Sequence, residues 1–119
     1  MDYIREELSV HSRPMRNVLK VHGQNSYDHE RAKFEIVMLL EILGRTYYTE
    51  ATFRDGPRAD IIVADVPGGL VIEVETKKDM ILTKAKEQLW SDRKDILVVY
   101  PLEANEELVK ELLELNEPR

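Results

Sequence analysis

The apolar positions of this chain change their spacing several times, and each change marks an element. From about His29 to Leu43 the residues are helix formers, with Phe34, Ile36, Val37, Met38, Leu39, Leu40, Ile42 and Leu43 placed nearly all the way round. Such a helix is expected to be buried against more than one neighbour. Ser26 or Asp28 can cap its start and Gly44 its end. Thr46 to Phe53, rich in Tyr and Thr, reads as a strand. Ile61 to Val63 and Leu70 to Val74 read as two more strands, joined by a turn at Pro67-Gly68-Gly69. Met80 to Trp90 reads as a helix bearing Lys84, Lys86 and Gln88. Ile96 to Tyr100, a continuous apolar run between Asp95 and Pro101, suits a central buried strand. Asn105 then caps a final helix striped by Leu108, Val109, Leu112 and Leu113. The order helix, strand, strand, strand, helix, strand, helix predicts an α/β sandwich. Residues 1–25 keep no such period and read as an N-terminal basic arm or extra helix, with a break at Ser12-Arg13-Pro14.

Charge interrupts this pattern at the hairpin. Asp60 opens one strand, while Glu73 and Glu75 sit inside the other. A carboxylate in a buried strand is costly unless something compensates it. Strand side chains alternate, so Glu73, Glu75 and Lys77 leave on one face, and Asp60 can lie beside Glu73. Carboxylates gathered at one end of a hairpin repel one another and are comfortable around a cation, for which oxygen ligands favour Mg²⁺ or Mn²⁺. The plainer alternative is a solvated sheet face on which these acids pair with Lys77, Lys78 or Arg58.

A chain of 119 residues is expected to form one domain with a real core. It has no cysteine, which excludes disulfides and thiolate metal sites and fits an intracellular, cytoplasmic protein. No signal peptide or membrane span is legible, the longest apolar run being Ile36 to Leu40. The net charge of −6 argues against a generic nucleic-acid binder, though not against DNA contacts confined to one face. Arg13, Arg16 and Lys20 lie in a basic N-terminal stretch, whereas Glu103 to Glu117 is acidic. The basic stretch can track phosphates or be an ordinary solvated terminus.

Asp60, the two apolar strands and Glu73-Val74-Glu75 after Leu70 to Ile72 resemble the core of the PD-(D/E)xK nuclease superfamily. The stretch is most similar to archaeal Holliday-junction-resolvase-like nucleases and covers about His29 to Tyr100. The resemblance implies a restriction-endonuclease-like αβββαβ core over residues 26–119, a mixed sheet flanked by helices. It implies Asp60 and Glu73 as ligands of Mg²⁺, with Mn²⁺ as substitute, and a glutamate near the start of the first helix completing the shell. Glu30 matches that position, with Glu35 as its rival. The sequence departs from the family at the usual lysine, which is Glu75 here; Lys77 or Lys84 are candidates for a migrated lysine, and Gln88 resembles a helix residue that faces the site. Glu75 would then act as base, bind a second ion or leave the site slow. His29 is able to contact a phosphate or shuttle a proton, although a lone histidine in a first helical turn is ordinarily a surface residue. Glu50 can join the acid cluster from the preceding strand.

The function this implies is metal-dependent hydrolysis of a DNA phosphodiester, resolvase-like on branched or double-stranded DNA, by a homodimer with no membrane association. Arg54 and Arg58 would hold phosphate oxygens from the loop before Asp60, with Arg13, Arg16, Lys20, Lys78 and Lys84 as further contacts to DNA. Two other readings differ in class. One is a catalytically inactive nuclease-fold module for DNA binding or assembly, and the other is an acidic structural subunit without a nucleic-acid partner.

Overall fold

Ser26 starts the first helix because its side chain accepts a hydrogen bond from the backbone N–H of His29 (3.1 Å), a donor with no partner inside the helix. Helix α1 spans Tyr27–Ile42. It stops at Gly44, whose φ of +70° lets Arg45 N–H reach the Leu40 carbonyl (2.8 Å) and Gly44 N–H the Glu41 carbonyl (3.1 Å). The computed structural model describes residues 1–75, 80–90 and 94–99, together with Lys110 and Glu114. Within them, α1 is followed by β1 (Tyr47–Thr52), β2 (Arg58–Val63), β3 (Leu70–Val74), α2 (Met80–Trp90) and β4 (Asp95–Val99). The expected helix beginning at Asn105 falls outside the described residues except for Lys110 and Glu114, as Lys77 and Lys78 do entirely.

The strands form one mixed sheet in the order β1-β2-β3-β4. The first two pairings are antiparallel, and β3 pairs parallel with β4 because the chain returns through α2 rather than a hairpin. Each sheet face has its own apolar core. On one, Tyr47, Ile61, Val63, Leu70, Ile72 and Val74 meet Ala32, Ile36, Val37 and Leu40 of α1. On the other, Tyr48, Ile62, Ala64 and Val71 meet Trp90 from α2 and Ile4 and Leu8 from the N-terminal segment. The chain is therefore an α/β domain with a four-stranded sheet between two helices.

The N-terminal residues lie against this body. Tyr3 N–H donates to the Ala64 carbonyl and Ser9 N–H to that of Thr52, both at 2.8 Å, and Leu8 forms a bridge with Phe53. Asn17 then closes the outer edge of β1, donating its backbone N–H to the Tyr47 carbonyl (2.8 Å) and accepting from Tyr47 N–H on its side chain (3.0 Å). An edge so occupied offers little for another strand to pair with.

Helix α1 departs from the expectation of burial on several sides. Its apolar positions do go round, but Phe34, Met38 and Ile42 form an exposed stripe while Ile36, Val37 and Leu40 face the sheet. One sheet face accepts only one side of a helix, so the second apolar side is left open.

The hairpin turn carries a constraint that reaches the N-terminus. Gly69 has φ +78°, and a Cβ there would come within 2.6 Å of Ile4 Cδ1 and 3.2 Å of Ile62 Cδ1. Gly69→Ala is therefore expected to destabilise the protein by about 1–3 kcal/mol, through backbone strain and overpacking. Ile4→Val removes the nearest atom, so the double variant should lose less than the sum of the two single changes. Denaturant unfolding of all four proteins measures this, and simple additivity would mean that Gly69 and Ile4 are not in contact.

Candidate functional site

Strand register brings the hairpin acids together. Thr49 pairs with Ile61 and Ile61 with Ile72, so one step along the strands places Glu50, Asp60 and Glu73 at the same level on three neighbours. Asp60 ends the β2–β3 ladder with its side chain, Oδ2 accepting from the backbone N–H of Val74 (2.9 Å). Its carboxylate is also hydrogen-bonded to that of Glu73, and both residues are buried.

Two carboxylates in contact and out of water cannot both be charged. Burial, and then the charge of Asp60 beside it, push the Glu73 carboxyl up to about 9. Burial also pushes Asp60 upward, but hydrogen bonds with His29, Glu73 and Val74 N–H outweigh it and hold Asp60 well below the usual carboxylate range. The pair thus shares one proton, and its titration belongs to both residues.

From α1, His29 and Lys33 stand one turn apart and face this cluster. His29 Nε2 lies 3.3 Å from Asp60 Oδ2 and its Nδ1 3.4 Å from Glu30 Oε1. The hydrogen bond with Asp60 raises the His29 pKa above its ordinary value against the opposing effect of burial. His29 is therefore an enclosed member of the site, with a side chain 12% exposed, and not the surface residue expected for a lone histidine. Lys33 is fully buried and reaches Glu30 Oε2 (2.9 Å), Glu50 Oε2 (3.6 Å) and the Lys20 carbonyl (2.7 Å). Although burial opposes it, the Lys33 and Asn25 hydrogen bonds lower the Glu30 pKa. Glu35 lies elsewhere, ion-paired with Arg31 at 3.3 Å.

From α2, Lys86 and Trp90 are likewise one turn apart, and both meet Glu73. Lys86 Nζ is 3.6 Å from Glu73 Oε2 and is paired with Glu75 Oε1; Trp90 Nε1 donates to Glu73 Oε1 at 3.2 Å. Burial works against its charge, but the hydrogen bond to Glu75 and the nearby acids keep the Lys86 pKa raised. Among the described residues, the lysine that reaches Glu73 and Glu75 is Lys86. Lys84 and Gln88, each about 200° round the helix from it, are exposed. The only sequence signal for Lys86 was its one-turn spacing from Trp90.

The remaining candidates are dispersed. Arg16 pairs with Asp2 (3.1 Å), and Lys20 Nζ donates to the carbonyls of Ser12 (3.1 Å) and Arg13 (2.8 Å). Arg13 itself is exposed at φ +52°. Arg54 Nε donates to the Leu8 carbonyl (3.2 Å), and Arg58 is exposed two residues before Asp60.

Among the described residues no three histidine or acidic side chains converge as one ligand set. Charge balance comes instead from a proton and from cations of the chain. Several buried polar atoms of the site lack a hydrogen bond, His29 Nδ1, Glu30 Oε2 and both oxygens of the Glu50 carboxylate, with Lys33 balancing the charge of Glu30 and Glu50. Glu50 also has φ +46°, a strained conformation for such a residue that costs about 1–3 kcal/mol and is common at functional sites. Asp60 and Glu73 are hard oxygen donors, the ligand type that suits a divalent cation such as Mg²⁺, and their oxygens here meet His29, Val74 N–H, Lys86 and Trp90.

The raised groups fix a pH dependence. Without divalent ions, folded Glu73 keeps a proton up to about pH 9 that the unfolded chain, with an ordinary value of 4.5, has released; raised His29 acts in the same sense from 6.5 upward. Stability is then expected to fall from about pH 5 to pH 9, by at most about 1.4 kcal/mol per pH unit for each extra proton held by the folded state. Depressed Asp60 contributes stability that is lost only on the acid side, below its ordinary 3.8. Thermal melts in a chelator should show this slope, and Glu73→Gln should flatten it; a wild-type melting temperature constant from pH 5 to 9 would contradict the shared proton. No family model, no curated protein and no solved structure matches the chain.

Proposed function

We propose that this chain is a metal-dependent DNA endonuclease built on a restriction-endonuclease-like core. The observation that carries the reading is the buried Asp60–Glu73 pair at the hairpin end, with Lys86 reaching Glu73 and Glu75. Asp60 and Glu73 would hold Mg²⁺, with Glu50 and Glu30 beside them. The ion would supply Lewis acidity, lowering the pKa of a bound water and offsetting charge on phosphorus.

The side chains then have separable tasks. Lys86, held as an ammonium by Glu75, orients the attacking water and stabilises the negative oxygens of the phosphorane. Glu75 thus serves as the partner that keeps Lys86 charged and in place. His29 holds the Asp60 carboxylate in position and, as an imidazolium, has a proton to give the departing oxygen. The water oxygen bonds to phosphorus and releases a proton to solvent, the bond to the bridging ester oxygen breaks, and the leaving alkoxide takes a proton from the His29 imidazolium. Arg58, exposed beside Asp60, is the described cation best situated to grip the phosphate. A second copy docked on the open Phe34, Met38 and Ile42 stripe would bring two sites to one branched DNA.

The second reading is an inactive nuclease-fold module for DNA binding or assembly. It is favoured by the near-complete charge balance of the cluster through Lys33, His29 and Lys86. Incubation with branched and linear DNA in Mg²⁺ and Mn²⁺ separates the two. The nuclease reading expects cleavage by wild type, none by Glu73→Ala, and a loss on the order of 100-fold for Lys86→Ala. A wild type that binds Mn²⁺ and DNA yet cuts no substrate would leave the binding module in its place.

A further inference from the structure

Trp90 is the only tryptophan of the chain, and it is almost wholly buried at the end of α2. Its ring meets Phe53 edge-on, with centroids 5.4 Å apart. That packing accounts for an apolar residue here, but not for the direction of the indole N–H, which points away from Phe53 to Glu73 Oε1 at 3.2 Å. Phenylalanine would fill most of the same space without a polar atom to satisfy. Glu73 uses its other oxygen toward Lys86, 3.6 Å away. The two oxygens of one buried carboxylate are thus addressed by two α2 residues a single turn apart.

We propose that Trp90 is a positioning residue for the divalent-ion site: its indole N–H fixes the rotation of the Glu73 carboxylate, so the ring also registers whether an ion is bound. The inference rests on the metal-dependent reading above. Without the indole donor, Glu73 Oε1 is left buried and unpaired, and the carboxylate is free to turn toward the Lys86 ammonium. A carboxylate turned that way is a worse ligand for an ion shared with Asp60. Partners that orient a ligand in this manner typically contribute 10–100-fold in metal affinity. An ion held by Glu73 would alter the electron density on Oε1, the atom that accepts the indole N–H at 3.2 Å. The indole N–H should then respond to an ion that Trp90 never touches.

Two measurements test this. In calorimetric titration with Mn²⁺, Trp90→Phe should bind about 10-fold more weakly than wild type or worse. Phe53→Leu loosens the same aromatic packing but keeps the indole donor, so it should lose stability and retain wild-type Mn²⁺ affinity. In wild-type protein, the single indole N–H proton resonance should shift on addition of Mg²⁺, and the shift should vanish in Glu73→Gln. Trp90→Phe binding Mn²⁺ as tightly as wild type, or an indole resonance unmoved by saturating Mg²⁺, would overturn the assignment while leaving the metal site standing. No Mn²⁺ binding by wild type would remove both. If Trp90→Phe does not fold, the wild-type resonance alone decides.

Discussion

The burial of carboxylates at the end of the β2–β3 hairpin is the constraint on which the rest of this structure depends. Asp60, Glu73 and Glu75 are all buried, and a buried charge left without a partner costs several kcal/mol. What offsets it is a continuous run of partners: Glu50, Lys33, Glu30, His29, Asp60, Glu73, Lys86 and Glu75, each meeting the next across strands and helices. Lys33 with Glu30 and Lys86 with Glu75 are neutral pairs, but Asp60 and Glu73 are both acids and must share a proton or a cation.

This run also explains how the two helices are seated. Each presents two residues one turn apart to the acids, His29 and Lys33 from α1 and Lys86 and Trp90 from α2. Apolar packing alone would let either helix slide or rotate with modest loss, since hydrophobic contact is non-directional. Hydrogen bonds to fixed carboxylate oxygens are directional, so they select one phase of each helix over its neighbours. Stability and site geometry are therefore coupled: the interactions that make the acids tolerable are those that orient them.

The N-terminal segment completes the fold by other means. Ile4 and Leu8 fill the face that α2 leaves partly open, and Ile4 rests on Gly69, where only a residue without a Cβ fits. Its basic residues have largely found partners within the chain, Arg16 on Asp2 and Lys20 on two carbonyls. The positive charge of this stretch is accordingly spent on holding the segment to the body, whereas Arg58 is exposed two residues before Asp60.

Much of this was legible in the sequence, and the reason differs from element to element. Helix α1 announced itself by Ser26 and Gly44, which act on the backbone within a few residues. The hairpin acids stood out because a carboxylate among Leu70, Val71, Ile72 and Val74 contradicts its neighbours, and period-two alternation is local. The sequence did not decide which α2 lysine would meet Glu75, because Lys84 and Lys86 differ only in the phase of α2 against the sheet, and phase is set by packing far along the chain. The enclosure of His29 between Asp60 and Glu30 was equally hidden, since a first-turn histidine is exposed until a strand end is brought against it. The same holds for Glu50, whose left-handed backbone and donor-free carboxylate follow from β1–β2 register, and for Trp90, whose local spacing shows only an apolar helix position. Short-range stereochemistry and alternation thus determined the elements and the acid pair; contacts such as Val74 N–H to Asp60, Trp90 to Glu73 and His29 to Asp60, 14, 17 and 31 positions apart and present only once sheet and helices are packed, decided what neutralises and orients it.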